Sequence, residues 1–277
     1  MARKINYPLI ISDFDGTLVN DDGSITQRNK EAIADYVAAG GAFAISTGRM
    51  PDGILSRAQD LGLKGMVSTC QGGIIVDIES GEVISEGRIP YETTLKIIQK
   101  MEEMGLHIHI YDLWDYYSNM DDEALKHYEY IVKSKAKLII DRPLSEYVQE
   151  CKFATYKVLV MVHPEDNERV RKALEAENFE GCVVTRSGPF LVEVVNANYS
   201  KGTAVEFLAK YYGVTLEKTI AVGDQLNDIP MIEKAGLGIA VKNADERLKQ
   251  AADYVSEYTH EESAIADVIE KFGFTNE

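Results

Sequence analysis

The sequence predicts an α/β protein, a doubly wound parallel sheet interrupted by an inserted α+β unit. Three observations predict it. Short β-branched apolar runs alternate with amphipathic helices near both ends of the chain, the βαβ signature of a parallel sheet. The alternation loses its regularity between about residues 82 and 195 and then resumes. Finally, 277 residues with 45% hydrophobic and 27% charged side chains suit one large globular unit or two. A chain of this length buries roughly 75% of its unfolded surface and needs no disulfides.

The elements follow in order. Leu9-Ile10-Ile11 is a short continuous apolar run, as a strand covered on both faces would be, and it ends at Ser12-Asp13. After the polar turn Asn20–Gly23, Thr26 N-caps a helix with Ile33, Tyr36 and Val37 on one face, stopped by Gly40-Gly41. Ala42–Ile45 is a second strand, running into Ser46-Thr47-Gly48-Arg49. Pro51 opens a helix that reaches about Leu61, and Gly65–Ser68 is a third strand. In the insert, Leu106–Tyr111 and Tyr156–Val162 read as strands, Tyr91–Gly105 and Glu165–Glu177 as helices. Ser200 then N-caps a helix that buries Val205, Leu208, Ala209 and Tyr212 and closes at Gly213. Thr219–Val222, ending in Gly223-Asp224, and Leu237–Val241 complete the strands. The expected division is a Rossmann-like core from 1–83 and 195–277 with an inserted unit at 84–194.

Charge narrows the partners. The formal net charge is −16, and a surface so acidic repels nucleic acid and anionic membranes, so neither is an expected partner. The N-terminal apolar stretch is broken by Asp13 and Asp15, too short for a signal peptide, and no run of about 18 apolar residues occurs. Three widely spaced cysteines, Cys70, Cys151 and Cys182, form no CxxC. They read as small buried hydrophobes in a reducing cytoplasm.

Chemistry is expected where strands end, because ligands of open parallel sheets bind outside the carboxyl ends of the strands. Asp13 and Asp15, Thr47 and Asp224 all follow buried strands directly. In an extended segment, Asp13 and Asp15 point to one face, so one carboxylate can act as nucleophile and the other as general acid/base. Gly16 permits a sharp turn after them. An EF-hand needs glycine where Leu18 stands. If a helix starts near Gln225, Asp224 and Asp228 lie one turn apart on one face. Four carboxylates in one crevice call for a hard cation and a lysine. All-oxygen ligands suit Mg²⁺, and Lys201 at a helix start is the candidate lysine. Thr47 and the Gly48 turn can donate to a phosphoryl oxygen, or Thr47 can simply cap the next helix. His107 and His109 alternate along one strand and read as its polar face. No GxxxxGK, GxGxxG or GxSxG motif is present.

These residues, in this order, resemble the haloacid dehalogenase-like (HAD) superfamily of phosphohydrolases, in its Cof-type (class IIB) branch. The matching motifs are Asp13-Phe14-Asp15-Gly16-Thr17-Leu18, Ser46-Thr47-Gly48-Arg49, Ser200-Lys201-Gly202 and Gly223-Asp224-Gln225-Leu226-Asn227-Asp228. The insert of about 110 residues between the second and third resembles this branch's large cap. The resemblance implies a Mg²⁺-dependent phosphatase of a small phosphorylated metabolite, a sugar phosphate or phosphorylated cofactor. Asp13 would carry the phosphoryl group as an aspartyl-phosphate, and Asp15 would act as acid and then base. Asp13, the Asp15 backbone carbonyl and Asp224 would hold Mg²⁺, with Asp228 in support. Thr47, Gly48, Lys201 and Asn227 would contact the phosphate or its shell. Cap residues Trp114, Tyr116, Tyr117, Arg186 and Ser187 are candidates for substrate contact. The same intermediate would also serve a phosphotransferase or phosphomutase, and a non-catalytic metabolite-binding relative is the third reading. Relatives often carry Asn-Gly-Ala where Gln71-Gly72-Gly73 stands, a departure that bears on substrate contacts rather than on reaction class.

Overall fold

The computed structural model describes residues 3–275. Its first half of core comprises β1 (Leu9–Ser12), α1 (Gln27–Ala38), β2 (Ala42–Ile45), α2 (Leu55–Asp60), β3 (Met66–Thr69), β4 (Ile74–Asp77) and β5 (Val83–Glu86). The insert follows with α3 (Tyr91–Glu103), β6 (His107–Tyr111), β7 (Tyr116–Ser118), α4 (Glu123–Val132) and β8 (Lys137–Leu138). It continues through α5 (Leu144–Cys151), β9 (Lys157–Met161), α6 (Pro164–Ala176), β10 (Cys182–Gly188) and β11 (Leu191–Asn196). The core resumes with α7 (Lys201–Tyr212), β12 (Thr219–Gly223), α8 (Ile229–Lys234), β13 (Leu237–Ala240), α9 (Glu246–Ala251), β14 (Tyr254–Val255) and α10 (Ala264–Val268).

Every residue of β1 is buried, because parallel neighbours flank it and helices cover both faces. The parallel order is β14-β13-β12-β1-β2, with Leu9 opposite both Thr219 and Ala42. β1 therefore lies between strands drawn from the two halves of the core. Since β12, β1 and β2 run the same way, Asp224, Asp13 and Thr47 leave the sheet at one edge. This is the crevice in which a doubly wound sheet binds ligands. The expected caps are in place: the Thr26 side chain accepts the Asn29 N–H, and Ser200 with Thr203 forms a capping box.

Four expectations need correction. Val37 is exposed, and Asn29 and Ala32 complete the buried face of α1 instead. The helix expected from Pro51 to Leu61 is split into a 3₁₀ turn at Pro51–Gly53 and the six-residue α2, since Gly53 and Ile54 break it. The third strand continues the parallel sheet only at its end, through the Ser46–Ser68 bridge. Most of it pairs antiparallel with β4, and β4 with β5. The boundaries expected at 83/84 and 194/195 accordingly fall inside β5 and β11.

The insert is a six-stranded sheet of order β10-β11-β9-β6-β7-β8. Strand alternation divides its faces. Ile108, Ile110, Val158, Val160, Val192 and Val194 pack with Ile97, Ile98, Met101, Leu144, Val148, Val170 and Leu174 of α3, α5 and α6. The opposite residues, among them His109, Tyr111, Lys157, Leu159 and Glu193, lie on the second face, where Tyr111 and Leu159 join the apolar cluster of the core. His107 and His109 thus lie on this face of the strand, and both are buried. His109 Nε2 lies 3.1 Å from His107 Nε2, and His107 Nε2 lies 2.9 Å from Ser118 Oγ. Burial holds both imidazoles below their ordinary titration range.

Candidate active site

Lys201 is the first residue of α7, and its stem runs inward until the ammonium is fully buried. Its Nζ donates to Asp13 Oδ1 at 2.6 Å and to Asp228 Oδ1 at 2.5 Å. Burial works against its charge, but the Asp13 and Asp228 carboxylates outweigh it and raise the ammonium above its usual range. Asp13 itself is 5% exposed. Burial and the neighbouring Asp228 charge push its carboxyl well above the ordinary carboxylate range, against the pull of Lys201.

Asp224 closes the cluster. Thr17 Oγ1 donates to its Oδ1 at 2.9 Å and Gln225 Nε2 to its Oδ2 at 3.2 Å. A Cβ at position 16 would lie 2.6 Å from Asp224 Oδ2, and Gly16 has φ +75°, so this approach requires glycine. Burial, then the charge of Asp228, pushes the Asp224 carboxyl up to about 6.

The arrangement of Asp228 differs from the expected helical stacking. Leu226–Asp228 is a 3₁₀ turn and α8 begins only at Ile229. The Asp228 carboxylate folds back, and its Oδ2 accepts the N–H groups of Asp224 and Gln225 at 2.9 and 3.0 Å. It anchors the loop and Lys201 at once.

Oxygen atoms of Asp13, Asp224 and Asp228 lie within 4.8 Å of one another. Three buried carboxylates against one ammonium leave two negative charges uncompensated, a deficit that one divalent cation cancels. Hard oxygen donors suit Mg²⁺. Asn227 Oδ1 and Gln225 Oε1 beside them are buried without a partner among the described residues. The donor set therefore fits a hydrated magnesium ion. The Asp15 carboxylate lies outside this cluster. It is half-exposed and held in a two-point pair by Arg49, at 2.8 and 2.6 Å.

The remaining expected contacts are placed as follows. Thr47 Oγ1 accepts the Arg49 N–H at 3.1 Å within the loop itself, and it does not cap the next helical turn, whose N-cap position is Met50. Asn227 Nδ2 donates to Gln71 Oε1 at 2.9 Å rather than into the crevice. Gly48 lies under Gln71, whose Nε2 would stand 2.5 Å from a Cβ there. Among cap candidates, Trp114 is exposed, Tyr116 stacks on Tyr111, and Tyr117 packs on Tyr147 and Phe153 inside the insert. Arg186 pairs with Asp245 of the core, and Ser187 donates to Glu193. Sequence reasoning passed over Arg49, Lys157 and Glu193. Lone charges inside the apolar runs of β9 and β11 were the available signal for the last two.

A family model described as haloacid dehalogenase-like hydrolase matches residues 10–269. The chain belongs to the haloacid dehalogenase-like hydrolases. A relative in Bacillus subtilis, the 5-amino-6-(5-phospho-D-ribitylamino)uracil phosphatase YcsE, is 29% identical over 96% of this chain and 96% of its own. A solved haloacid dehalogenase-like hydrolase from Bacteroides thetaiotaomicron is similar at 28% identity and TM-score 0.79, covering 96% of this chain and 99% of that one. The HAD subclass IIB sugar phosphatase BT4131 superposes with TM-score 0.84 at 25% identity, over 96% and 98% of the two chains. This hydrolase is thus a phosphatase with the class's parallel core and inserted cap. No helix among its described residues is long and apolar enough to cross a membrane.

The uncompensated carboxylates of this hydrolase give a pH prediction. Asp224 has its native pKa raised above the unfolded value near 3.9. Its contribution to stability is therefore full at low pH and lost as pH rises through about 6. Magnesium should restore what is lost. Thermal unfolding with and without Mg²⁺ is expected to show a stabilisation of several degrees at pH 7.5, consistent with about 2.7 kcal/mol at a hundredfold excess over Kd. The gain should shrink markedly at pH 5. An equal gain at both pH values would contradict the assignment of the cluster as the cation site.

Proposed function

We propose that the protein is a cytoplasmic, Mg²⁺-dependent phosphatase of phosphate monoesters of small metabolites, sugar phosphates or phosphorylated cofactors, working through an aspartyl-phosphate on Asp13. The carrying observation is the single constellation of Asp13, Lys201, Asp224 and Asp228 at the carboxyl edge of the parallel sheet. Three unpaired thiols agree with a reducing compartment.

An Asp13 oxygen attacks phosphorus as the bond to the ester oxygen breaks, and Asp15 passes its proton to that departing oxygen. Asp15 then takes a proton from water, whose oxygen attacks phosphorus and releases Asp13 and inorganic phosphate. Asp15 stands at the mouth of the crevice, and the substrate must draw one of its oxygens away from Arg49. Lys201 neutralises charge on the phosphoryl oxygens while Asp228 keeps it aimed, and Thr47 and the Gly48 turn offer donors nearby. Asp13, Asp224 and the Asp15 backbone carbonyl would hold the ion, with Asp228 behind them, and a bound Mg²⁺ supplies charge neutralisation to the phosphoryl group. Phosphoryl transfer needs this positioning more than covalent ingenuity. The inserted sheet covers the crevice and excludes water.

The test is inorganic phosphate release from a panel of phosphorylated metabolites, with Mg²⁺ and with EDTA. Mg²⁺-dependent release is expected. Phosphate transferred to a second hydroxyl without release would assign a transferase instead, and silence on every compound with folded protein would refute the catalytic reading.

A further inference from the structure

The loop between β1 and α1 meets the turn that precedes α10. In the loop, the Asn20 N–H donates to the Ser24 carbonyl, the Gly23 N–H to the Asn20 carbonyl and the Ser24 N–H to Asp22 Oδ1, so its backbone is fixed from within. His260–Glu262 is a 3₁₀ turn closed by a capping box of Thr259 and Glu262. Thr26 and Ser263 tie the two segments together on one side, their hydroxyl oxygens 2.8 Å apart. On the other side the His260 N–H donates to Asn243 Oδ1 at 3.0 Å, and Asn243 Nδ2 donates to the Gly16 carbonyl at 2.8 Å.

Three side chains converge from these segments. His260 Nε2 lies 3.1 Å from Asp21 Oδ1, a residue 239 positions away. A ring nitrogen of His260 and one carboxylate oxygen from each of Asp21 and Glu261 lie within 4.8 Å of one another. Two features distinguish this group from ordinary surface ion pairing. Neither carboxylate has a lysine or arginine partner among the described residues, and Lys242 pairs with Glu262 instead. Two like charges therefore stand together with only an imidazole between them. The His260 side chain, moreover, is 12% exposed, and its Nδ1 is buried without a partner among the described residues. A histidine kept for packing alone would have both nitrogens satisfied. This ring is instead set by its main-chain bond to Asn243 and faces a carboxylate.

We propose that Asp21, His260 and Glu261 form a second divalent-cation site, for a borderline transition metal of the Zn²⁺ class, which clamps the β1–α1 loop to the turn before α10. The proposal does not depend on the phosphatase reading. Two carboxylates, with the imidazole ligating through a lone pair, supply the two negative charges that a divalent cation cancels. The nitrogen donor sets the selectivity. Imidazole favours Zn²⁺ and its neighbours over Mg²⁺, whereas the Asp13 cluster offers oxygen alone. Three protein ligands leave a position for water. The ligands come from segments that meet only in the folded chain, so an ion held by all three binds the native state and stabilises it. Through Asn243 the clamp reaches the Gly16 carbonyl, and it thereby braces the turn that follows Asp13 and Asp15.

The experiment titrates the full chain with Co²⁺, a spectroscopic stand-in for Zn²⁺, in saturating Mg²⁺ to occupy the Asp13 cluster. The parent should bind one Co²⁺ per chain, without a thiolate charge-transfer band, and release it to one equivalent of Zn²⁺. His260→Ala, Asp21→Asn and Glu261→Gln should each weaken binding at least about tenfold. Asp224→Asn should leave it unchanged, which separates this site from the oxygen cluster. Zn²⁺ should raise the Tm of the parent by several degrees and that of Glu261→Gln by much less. Glu261 is exposed, so its variant decides the matter even if His260→Ala fails to fold. A parent that binds no Co²⁺ in Mg²⁺ would overturn the proposal. So would binding that survives Asp21→Asn and Glu261→Gln with unchanged affinity, or that is lost in Asp224→Asn.

Discussion

Asp13→Asn is expected to fold as the parent does and to lose phosphate release by at least about 10³-fold, roughly 4 kcal/mol of barrier. The amide is close in shape to the carboxylate and can still accept from Lys201, but it is a poor nucleophile. Stability should move the other way. Burial and Asp228 hold the Asp13 carboxyl well above its ordinary range, so its ionised form costs stability once pH rises past that raised value. Removing the charge should leave the metal-free variant as stable as the parent near pH 4 and more stable at pH 8. Thermal unfolding at the two pH values, beside a phosphate-release assay, checks both halves. Retained turnover would remove Asp13 as nucleophile. A variant destabilised at pH 8 would mean that the Lys201 pair, not carboxylate repulsion, governs this position. Asp15→Asn separates the roles further, because its side chain lies outside the carboxylate cluster. It should lose activity without the pH-dependent gain in stability.

The parallel core was legible because each of its main strands is a short buried apolar run followed at once by a polar residue. Leu9–Ile11 before Asp13 and Thr219–Val222 before Asp224 mark the same sheet edge, and the neighbouring registers bring them together. The caps at Thr26 and Ser200 were legible for a local reason, since a hydroxyl three residues before a free N–H needs no tertiary information. The β4–β5 hairpin was missed although its turn carries a signal. Asp77 Oδ1 accepts the N–H groups of Glu79 and Ser80, and Gly81 takes φ +72°. β8 and β14, two residues each, are too short to show a period. The fold-back of Asp228 lay beyond spacing arguments, because it depends on a 3₁₀ turn and on the Lys201 ammonium arriving from another helix. The same holds for Gln71, whose departure from the relatives' usual residue was visible but whose partners, Asn227 and Glu193, lie 156 and 122 positions away.

Lys201→Met should be the most damaging single change to stability, more so than any change to the carboxylates it serves. The lysine is the only ammonium bonded to Asp13 and Asp228 among the described residues. Without it two carboxylates sit in the interior with no cation, a situation that costs about 3–5 kcal/mol. For a chain of this size that corresponds to a fall in Tm on the order of 10 °C. The sign of its pH dependence is fixed by the same charges. The Asp13 carboxyl, already pushed up by burial, moves further up when the ammonium leaves, so the lost stability is greatest above neutral pH and recovers as it protonates on acidification. Magnesium should recover part of the loss at pH 8. Adding Asp228→Asn to Lys201→Met should recover more than an additive sum allows, since the second change removes the charge that the first left bare. A double variant no more stable than the single one would show that the lysine stem's packing, rather than charge balance, holds this corner of the core. Activity separates the same two accounts. Charge balance alone can be restored by the aspartate change, whereas phosphoryl neutralisation cannot, so the stabilised double variant should remain inactive.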